Sequence, residues 1–182
     1  PTRRSSDLLR GTVFGFDFNP VVDRARITSN ERQNLAGNPI TGGATVNVDL
    51  FYDPADPNAG AAPNIVASAY SNNVAGATST MLYNIDASLN TLVRQTAPFG
   101  DGRLQTIGGL GAVSGGLVGI DIASLSGIAF ATFDSELLDH SNLYQINLAT
   151  GAATFLSAIN AERLTDFAVT IPAPGALGLA AA

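Results

Sequence analysis

The sequence predicts an all-β fold, built as a propeller-like array of repeated antiparallel sheets, with a β-sandwich as the alternative. Many short runs alternate apolar and polar residues, which is the pattern of strands with one buried face. Three of these runs end in the same kind of turn, at 35–42, 82–90 and 143–151. A second series, Asp17, Ser68, Asp121 and Asp166, recurs at intervals of 51, 53 and 45 residues. Spacing of this size is typical of stacked β units.

The three turns share a polar first residue and, four positions later, a closing residue that is Gly or Asn. The first residues are Asn38, Asp86 and Asn147, and the closing residues are Gly42, Asn90 and Gly151. Gly and Asn enter the left-handed backbone region at the lowest cost. We therefore expect a left-handed conformation at each closing position.

The first predicted unit opens with a strand at 13–19, which places Phe14, Phe16 and Phe18 on one face. We expect this face to lie in the core, so that Phe16→Ala costs ~3–5 kcal/mol of stability. The next strands of the unit are predicted at 24–28, 33–38 and 45–51. A connector at 53–63 follows, and its three prolines exclude a central strand.

Two further units and one lone strand follow the connector. Their strands are predicted at 65–70, 79–86, 91–95, 104–107, 117–122, 128–133, 142–147 and 153–158. The last strand, at 164–170, repeats the first strand of a unit and then stops. Propeller rings have four to eight units, and a lone terminal strand commonly completes a unit begun elsewhere. We therefore expect an incomplete array whose N-terminal blades are missing.

Both ends of the chain differ in composition from the middle. Residues 1–8 (PTRRSSDL) look like a translated sequencing adapter, which leaves 9–170 as the β domain, the C-terminal part of a larger one. Residues 171–182 (IPAPGALGLAAA) resemble the start of a PEP-CTERM sorting tail, with a disordered Ala-rich end as the alternative. This run is too short to cross a bilayer, which takes roughly 20 apolar residues.

The charge pattern excludes some partners. The net charge is −6, and all nine basic residues are Arg. An acidic surface without a basic cluster argues against nucleic acid as a partner. Cysteine is absent, so the fold depends on packing rather than on disulfides.

Two groups of carboxylates are candidate sites. Asp53, Asp56 and Asn58 lie in the Pro-rich connector, and such oxygen-rich loops suit Ca²⁺. Asx-Pro turns explain the same residues without a metal.

The second group is Asp17, Asp121 and Asp166, which share one position of the repeat. Converging carboxylates can bind a cation or act as acid and base. Alternatively, each of these residues bonds neighbouring main-chain amides and fixes its own sheet.

No catalytic constellation is visible in the sequence, and we predict no catalytic residue. The single histidine, His140, stands in Asp-His-Ser, and adjacent residues do not provide the convergent geometry of a triad. With no Cys and one His, the usual zinc ligand sets are excluded. The Gly-rich run at 109–115 has the wrong spacing for a dinucleotide fingerprint, and no lysine is present for a Walker motif.

Two runs resemble a known family: GFDFNPVVDRARITSNERQNLAGNPITG at 15–42 and DPNAGAAPNIVASAYSNNVAGATSTMLYNIDASLNTLV at 56–93. The chain resembles a bacterial domain family of unknown function, numbered forty-three ninety-four. The resemblance covers roughly 11–170. It implies a secreted or envelope protein, often with a PEP-CTERM tail, and brings no substrate, catalytic residue or cofactor.

We therefore expect a non-catalytic binding or structural module outside the cell or in the envelope. An extracellular polysaccharide or a matrix protein is the expected class of partner. The alternative is an extracellular propeller hydrolase or lyase that uses carboxylates, with Ca²⁺ as its cofactor.

Overall fold

The computed structural model describes residues 9–135, 140–159 and 163–169, and it shows an all-β chain, as predicted. Within these residues, thirteen strands form three separate sheets, and the only helical segment is the 3₁₀ turn Phe99–Asp101. The predicted adapter segment 1–8 and tail 171–182 lie outside the described residues. No helix of the described part has the length and apolarity needed to cross a membrane.

Sheets 1 and 3 are antiparallel meanders of four strands in chain order. Sheet 1 consists of β1 (Phe14–Asn19), β2 (Arg24–Ser29), β3 (Asn34–Gly37) and β4 (Ala44–Val46). Sheet 3 consists of β10 (Val118–Ile122), β11 (Ala129–Ser135), β12 (His140–Ile146) and β13 (Ala153–Ile159).

Sheet 2 has five strands in the order β5-β9-β8-β7-β6. They are β5 (Phe51–Tyr52), β6 (Ile65–Tyr70), β7 (Leu82–Asp86), β8 (Thr91–Gln95) and β9 (Arg103–Gly109). The strand predicted at 45–51 is therefore wrong in its extent. Its end leaves sheet 1 because Leu50 and Tyr52 pack into a small core with Val93 and Leu104 of sheet 2.

Strands β1, β6 and β10, one from each sheet, lie side by side. β6 packs against β1 on one side and against β10 on the other. The main core fills the space between sheets 2 and 3, and its buried members include Val66, Ile85, Leu92, Ile120 and Phe133. Burial of this apolar surface is the dominant stabilising term of the fold.

The predicted core face of β1 is wrong. Phe16 and Phe18 are 48% and 43% exposed, whereas Gly15 and Asn19 are buried. The reason lies in β6, because its main chain approaches so closely that a Cβ on Gly15 would lie 2.8 Å from the carbonyl carbon of Ala67. Only a residue without a side chain fits there, so the phenylalanines face the other way.

The three predicted turns share one geometry. In each, the side-chain Oδ1 of the first residue accepts the main-chain N–H groups two and three positions later, at 2.9 and 3.2 Å. The closing residues Gly42, Asn90 and Gly151 have φ of 69°, 49° and 82°, as predicted. A fourth turn of this kind starts at Asn19 and closes at Asp23, with φ of 46°.

Candidate functional site

A cleft of about 500 Å³ opens between sheet 2, the Pro-rich connector and the turn after β12. Strands β7, β8 and β9 supply Tyr83, Arg94, Gln105, Thr106 and Ile107 to its lining. The connector contributes Asp53, Asp56 and Pro57, and the turn contributes Leu148 and Ala149. The cleft therefore combines an aromatic ring, a guanidinium, an amide and two carboxylates with apolar side chains.

The floor of the cleft is a row of three side chains that crosses sheet 2. Tyr83 pairs with Arg94 in the register of β7 and β8, and Arg94 pairs with Gln105 in that of β8 and β9. Paired residues of an antiparallel sheet project from the same face. Arg94 Nη2 donates a hydrogen bond to Gln105 Oε1, which holds the two planar groups together. The result is a half-buried strip with one aromatic and two hydrogen-bonding members.

Asp53 stands at the edge of this strip and is ionised at neutral pH. Its Oδ1 accepts the N–H of Ala55 at 2.9 Å, and its Oδ2 accepts Arg103 Nη1 at 3.0 Å. The Ala55 N–H, followed by the Arg103 guanidinium, lowers the pKa of the Asp53 carboxyl. Hydrogen bonds to the charged form have this effect because they stabilise it.

Asp56 fastens the connector to β9. Its Oδ2 accepts the main-chain N–H of Thr106 at 2.6 Å, and its Oδ1 accepts Thr106 Oγ1 at 2.8 Å. Asn58 donates its own N–H to Asp56 Oδ1 at 2.9 Å, and its side-chain amide donates to Thr106 Oγ1 at 2.9 Å. This set of bonds fixes one wall of the cleft.

The three residues predicted to bind Ca²⁺ thus meet in one place, although the carboxylate oxygens of Asp53 and Asp56 accept hydrogen bonds from the chain itself. Asp53 and Asp56 line the cleft, and Asn58 stands beside Asp56. In the described part of the chain, no three Asp, Glu, His or Cys side chains form a group suited to holding a metal ion. Calcium binding by Asp53, Asp56 and Asn58 stays a prediction.

The second predicted group joins neighbouring strands. Asp17 of β1, Asp121 of β10 and Asp166 each accept the N–H of the next residue on Oδ1, at 2.6, 2.7 and 2.8 Å. Asp17 Oδ2 also accepts the N–H of Tyr70 on β6 at 2.6 Å, and Asp121 Oδ2 accepts that of Val169 at 2.6 Å. Two of the three aspartates therefore bond the main chain of the adjacent unit.

These three carboxylates also interact through their charges. Burial raises the pKa of Asp17 to about 6, although the N–H groups of Tyr70 and Phe18 oppose the rise, and the charges of Asp121 and Asp166 add to it. Burial, followed by the charge of Asp121, raises the pKa of Asp166. The structure thus brings the three residues within electrostatic reach of one another and gives each a main-chain donor.

The floor of the cleft was missed by the sequence interpretation. Tyr83, Arg94 and Gln105 stand at alternating positions of strands that we read only as structure. The sequence does show one polar or amphipathic residue on each of these strands. However, the strand register that aligns the three residues cannot be predicted from their spacing in the sequence. His140, which we set aside, is the first residue of β12 and pairs with Ser135.

A family model described as a domain of unknown function (DUF4394) matches residues 2–168. The chain therefore belongs to this family, as its sequence resemblance indicated, and the match extends into the segment 1–8 that we excluded from the fold. No curated protein matches the chain.

Proposed function

Taking membership of this family as the premise, we propose that the chain is a non-catalytic, extracellular or envelope-associated binding module whose cleft holds a segment of polysaccharide. The observation that carries this proposal is the row Tyr83, Arg94 and Gln105 beside the ionised Asp53. The sorting-like composition of 171–182 supports the location.

A sugar ring needs the two kinds of surface that this row supplies. Its C–H face is apolar and packs on an aromatic side chain such as Tyr83, whose hydroxyl also serves as a polar contact. Its rim of hydroxyls both donates and accepts hydrogen bonds. Arg94 supplies fixed donors, Gln105 supplies a donor and an acceptor, and the Asp53 carboxylate supplies acceptors.

The size of the cleft agrees with a small segment of sugar polymer as ligand. Ligand pockets commonly measure roughly 300–1,000 Å³. The cleft, at about 500 Å³, lies within this range and is open to solvent. The bonds between Asp56 and Thr106 hold its wall in place, so little ordering is needed on binding.

A propeller-like architecture is part of this proposal. It is supported by the central position of β6 between β1 and β10, because the sheets of a propeller adjoin in this way, each through one strand. In such an architecture, a turn at the end of one sheet can line a site on the neighbouring sheet. The turn 147–151 after β12 does so, because its Leu148 and Ala149 line the cleft on sheet 2.

The test is calorimetric titration of the chain with neutral and acidic oligosaccharides. We expect Tyr83→Ala and Arg94→Ala each to weaken binding at least tenfold. Arg24→Ala is the matched control, since Arg24 lies on β2, does not line the cleft, and donates its guanidinium to the carbonyl of Asp23. Equal binding by Arg94→Ala and Arg24→Ala contradicts the assignment of the cleft.

A second candidate is a hydrolase or lyase that uses Asp17, Asp121 and Asp166, with Ca²⁺ as a cofactor. The raised pKa of Asp17, at about 6, favours it, because a group that titrates near neutrality exchanges protons efficiently. Product analysis after incubation with the same oligosaccharides, in Ca²⁺ and in chelator, decides between the two. Turnover that Asp17→Ala or Asp121→Ala abolishes would replace the binding proposal.

A further inference from the structure

Arg94, in the lining of the cleft, has no carboxylate partner among the described residues. It lies half-buried on β8, and its guanidinium donates to the neutral amide oxygen Oε1 of Gln105. In the described part of the chain, the ion pairs are formed by Arg10 and Arg103 instead. A guanidinium carries several N–H donors, and its hydrogen bonds to an oxyanion are roughly twice as strong as those between neutral groups. Arg94 therefore offers a fixed positive charge to a ligand.

The two carboxylates of the cleft are bonded to other groups. Asp53 Oδ2 accepts Arg103 Nη1 at 3.0 Å. Both side-chain oxygens of Asp56 accept hydrogen bonds from Thr106, at 2.6 and 2.8 Å, and these bonds hold the connector to β9. A ligand that binds the Arg94 guanidinium therefore displaces neither aspartate.

A smaller pocket of about 180 Å³ adjoins the cleft at Arg94. Met81 and Arg94 line both cavities. The smaller pocket lies where β7 begins and β8 ends, since Thr80 and Thr96 also line it, whereas the connector carboxylates lie towards β9. The described residues of its lining include no Asp or Glu. An anionic group on this side of Arg94 therefore meets no repelling charge from that lining.

Tyr83 and Arg94 are close enough to contact one sugar residue. They are directly paired in the register of β7 and β8, and the Cβ atoms of such pairs lie roughly 4.5–5.5 Å apart. The carboxylate of a uronic acid is attached to the sugar ring itself, so a ring that stacks on Tyr83 places this group beside the guanidinium. A neutral sugar in the same position covers Arg94 without supplying an anion, and covering a charge without a partner is costly.

We propose that the cleft selects an acidic polysaccharide, in which a uronic acid stacks on Tyr83 and places its carboxylate against the Arg94 guanidinium on the side of the smaller pocket. This inference rests on the proposed function and narrows it to one class of polymer. The attraction is local, because the chain has a net charge of −6 and repels polyanions at long range. Binding therefore depends on the fit of one carboxylate to Arg94.

The test compares two ligands that differ chiefly in charge, a galacturonic acid trimer and its methyl ester, each titrated calorimetrically into the whole chain. The wild type should bind the acid at least tenfold more tightly than the ester. Arg94→Ala should bind the two equally, and Arg94→Lys, which keeps the charge but not the planar fork, should retain a smaller preference. Tyr83→Ala should weaken both ligands by the same factor. Arg24→Ala, the matched control outside the cleft, should leave both affinities unchanged.

Two results overturn this inference but leave the sugar-binding cleft in place. The first is equal affinity of the wild type for acid and ester, with both weakened by Tyr83→Ala. The second is a preference for the acid that persists in Arg94→Ala, because the carboxylate is then recognised elsewhere. If the wild type binds neither these ligands nor any neutral oligosaccharide, the proposed function fails together with the inference.

Discussion

Sheet 2 makes two interfaces of opposite character. Towards sheet 3 the contact is apolar, with Val66 and Ile85 of sheet 2 in one buried cluster with Ile120 and Phe133. Towards sheet 1 the contact is polar, and buried side chains meet there through hydrogen bonds. The same sheet therefore uses non-directional packing on one side and directional bonding on the other.

The polar interface is built from linked pairs of side chains. Ser68 Oγ lies 2.7 Å from Thr28 Oγ1 and donates to Asn84 Oδ1 at 2.6 Å. Arg26 donates through Nε to Tyr70 Oη at 3.3 Å and through Nη1 to Asn34 Oδ1 at 2.6 Å. Apolar burial tolerates substitutions that conserve volume, whereas a buried polar group left without a partner is costly. The comparison shows that sheet 2 contacts sheet 3 through apolar packing, which depends mainly on side-chain volume. It contacts sheet 1 through hydrogen bonds, which depend on the exact placement of donors and acceptors.

The largest predicted effect lies on the apolar side. Phe133 is 1% exposed and stacks on Tyr144 with ring centroids 4.6 Å apart. Phe133→Ala should lower the free energy of unfolding by ~3–5 kcal/mol, measured by urea denaturation. Phe16→Ala, at 48% exposure, is the matched control and should cost under about 1 kcal/mol. Equal losses in the two variants would contradict the facing of β1 described above.

The next largest loss of stability is expected where the main chains of β1 and β6 approach closely, at the polar interface. A Cβ on Gly15 would lie 2.6 Å from Thr28 Oγ1 and 2.8 Å from the carbonyl carbon of Ala67. Gly15→Ala should cost about 1–3 kcal/mol by overpacking. Gly37→Ala is the control, because the nearest atom to its Cβ would be Ala25 Cβ at 3.5 Å. Thermal melts that place both variants at the wild-type midpoint would show that β1 and β6 separate readily.

Loss of the Ser68 hydroxyl should lower the free energy of unfolding by as much as Gly15→Ala or by less. Ser68→Ala removes the partner of both Thr28 and Asn84, and Asn84 Nδ2 already has no partner within the described residues. We expect a loss of about 1–3 kcal/mol. A double-mutant cycle with Thr28→Val measures the coupling directly. A coupling energy of zero would mean that the two hydroxyls act independently.

The polar interface should also make stability depend on pH. Asp17 has a pKa of about 6 in the folded chain, raised from 3.8 chiefly by burial. Between these two values the folded state binds more protons than the unfolded state, so stability falls as pH rises through this window. In Asp17→Ala this contribution is absent. The free energy of unfolding, measured from pH 4 to pH 7, should therefore fall less steeply with pH in the variant than in the wild type. Equal slopes in the two proteins would contradict a raised pKa of Asp17.

The sequence predicted the turns well and the faces of the strands poorly. Asn38, Asp86 and Asn147 each accept N–H groups two and three residues later, so the turns that they form can be predicted from the local sequence. The facing of Phe16 depends on Ser68, which is distant in sequence and holds β6 against Gly15. Alternation alone fixes which residues share a face, and the neighbouring sheet decides which face is buried.

The candidate site was also predicted only in part, for the same reason. Asp53 and Asp56 could be singled out because they stand in a Pro-rich connector with visible Asx turns. Tyr83, Arg94 and Gln105 become a site only through the registers of three strands, and a bulge between Leu92 and Val93 shifts the last register. No local pattern in the sequence encodes that alignment.

The most direct measurement is an amide chemical-shift titration of the unmodified chain with the tightest-binding oligosaccharide. The account predicts that the largest shifts fall on Tyr83, Arg94, Gln105 and the connector residues that line the cleft. Saturating shifts confined to Asp17, Asp121 and Asp166, or no shift with any oligosaccharide, would contradict a polysaccharide-binding cleft.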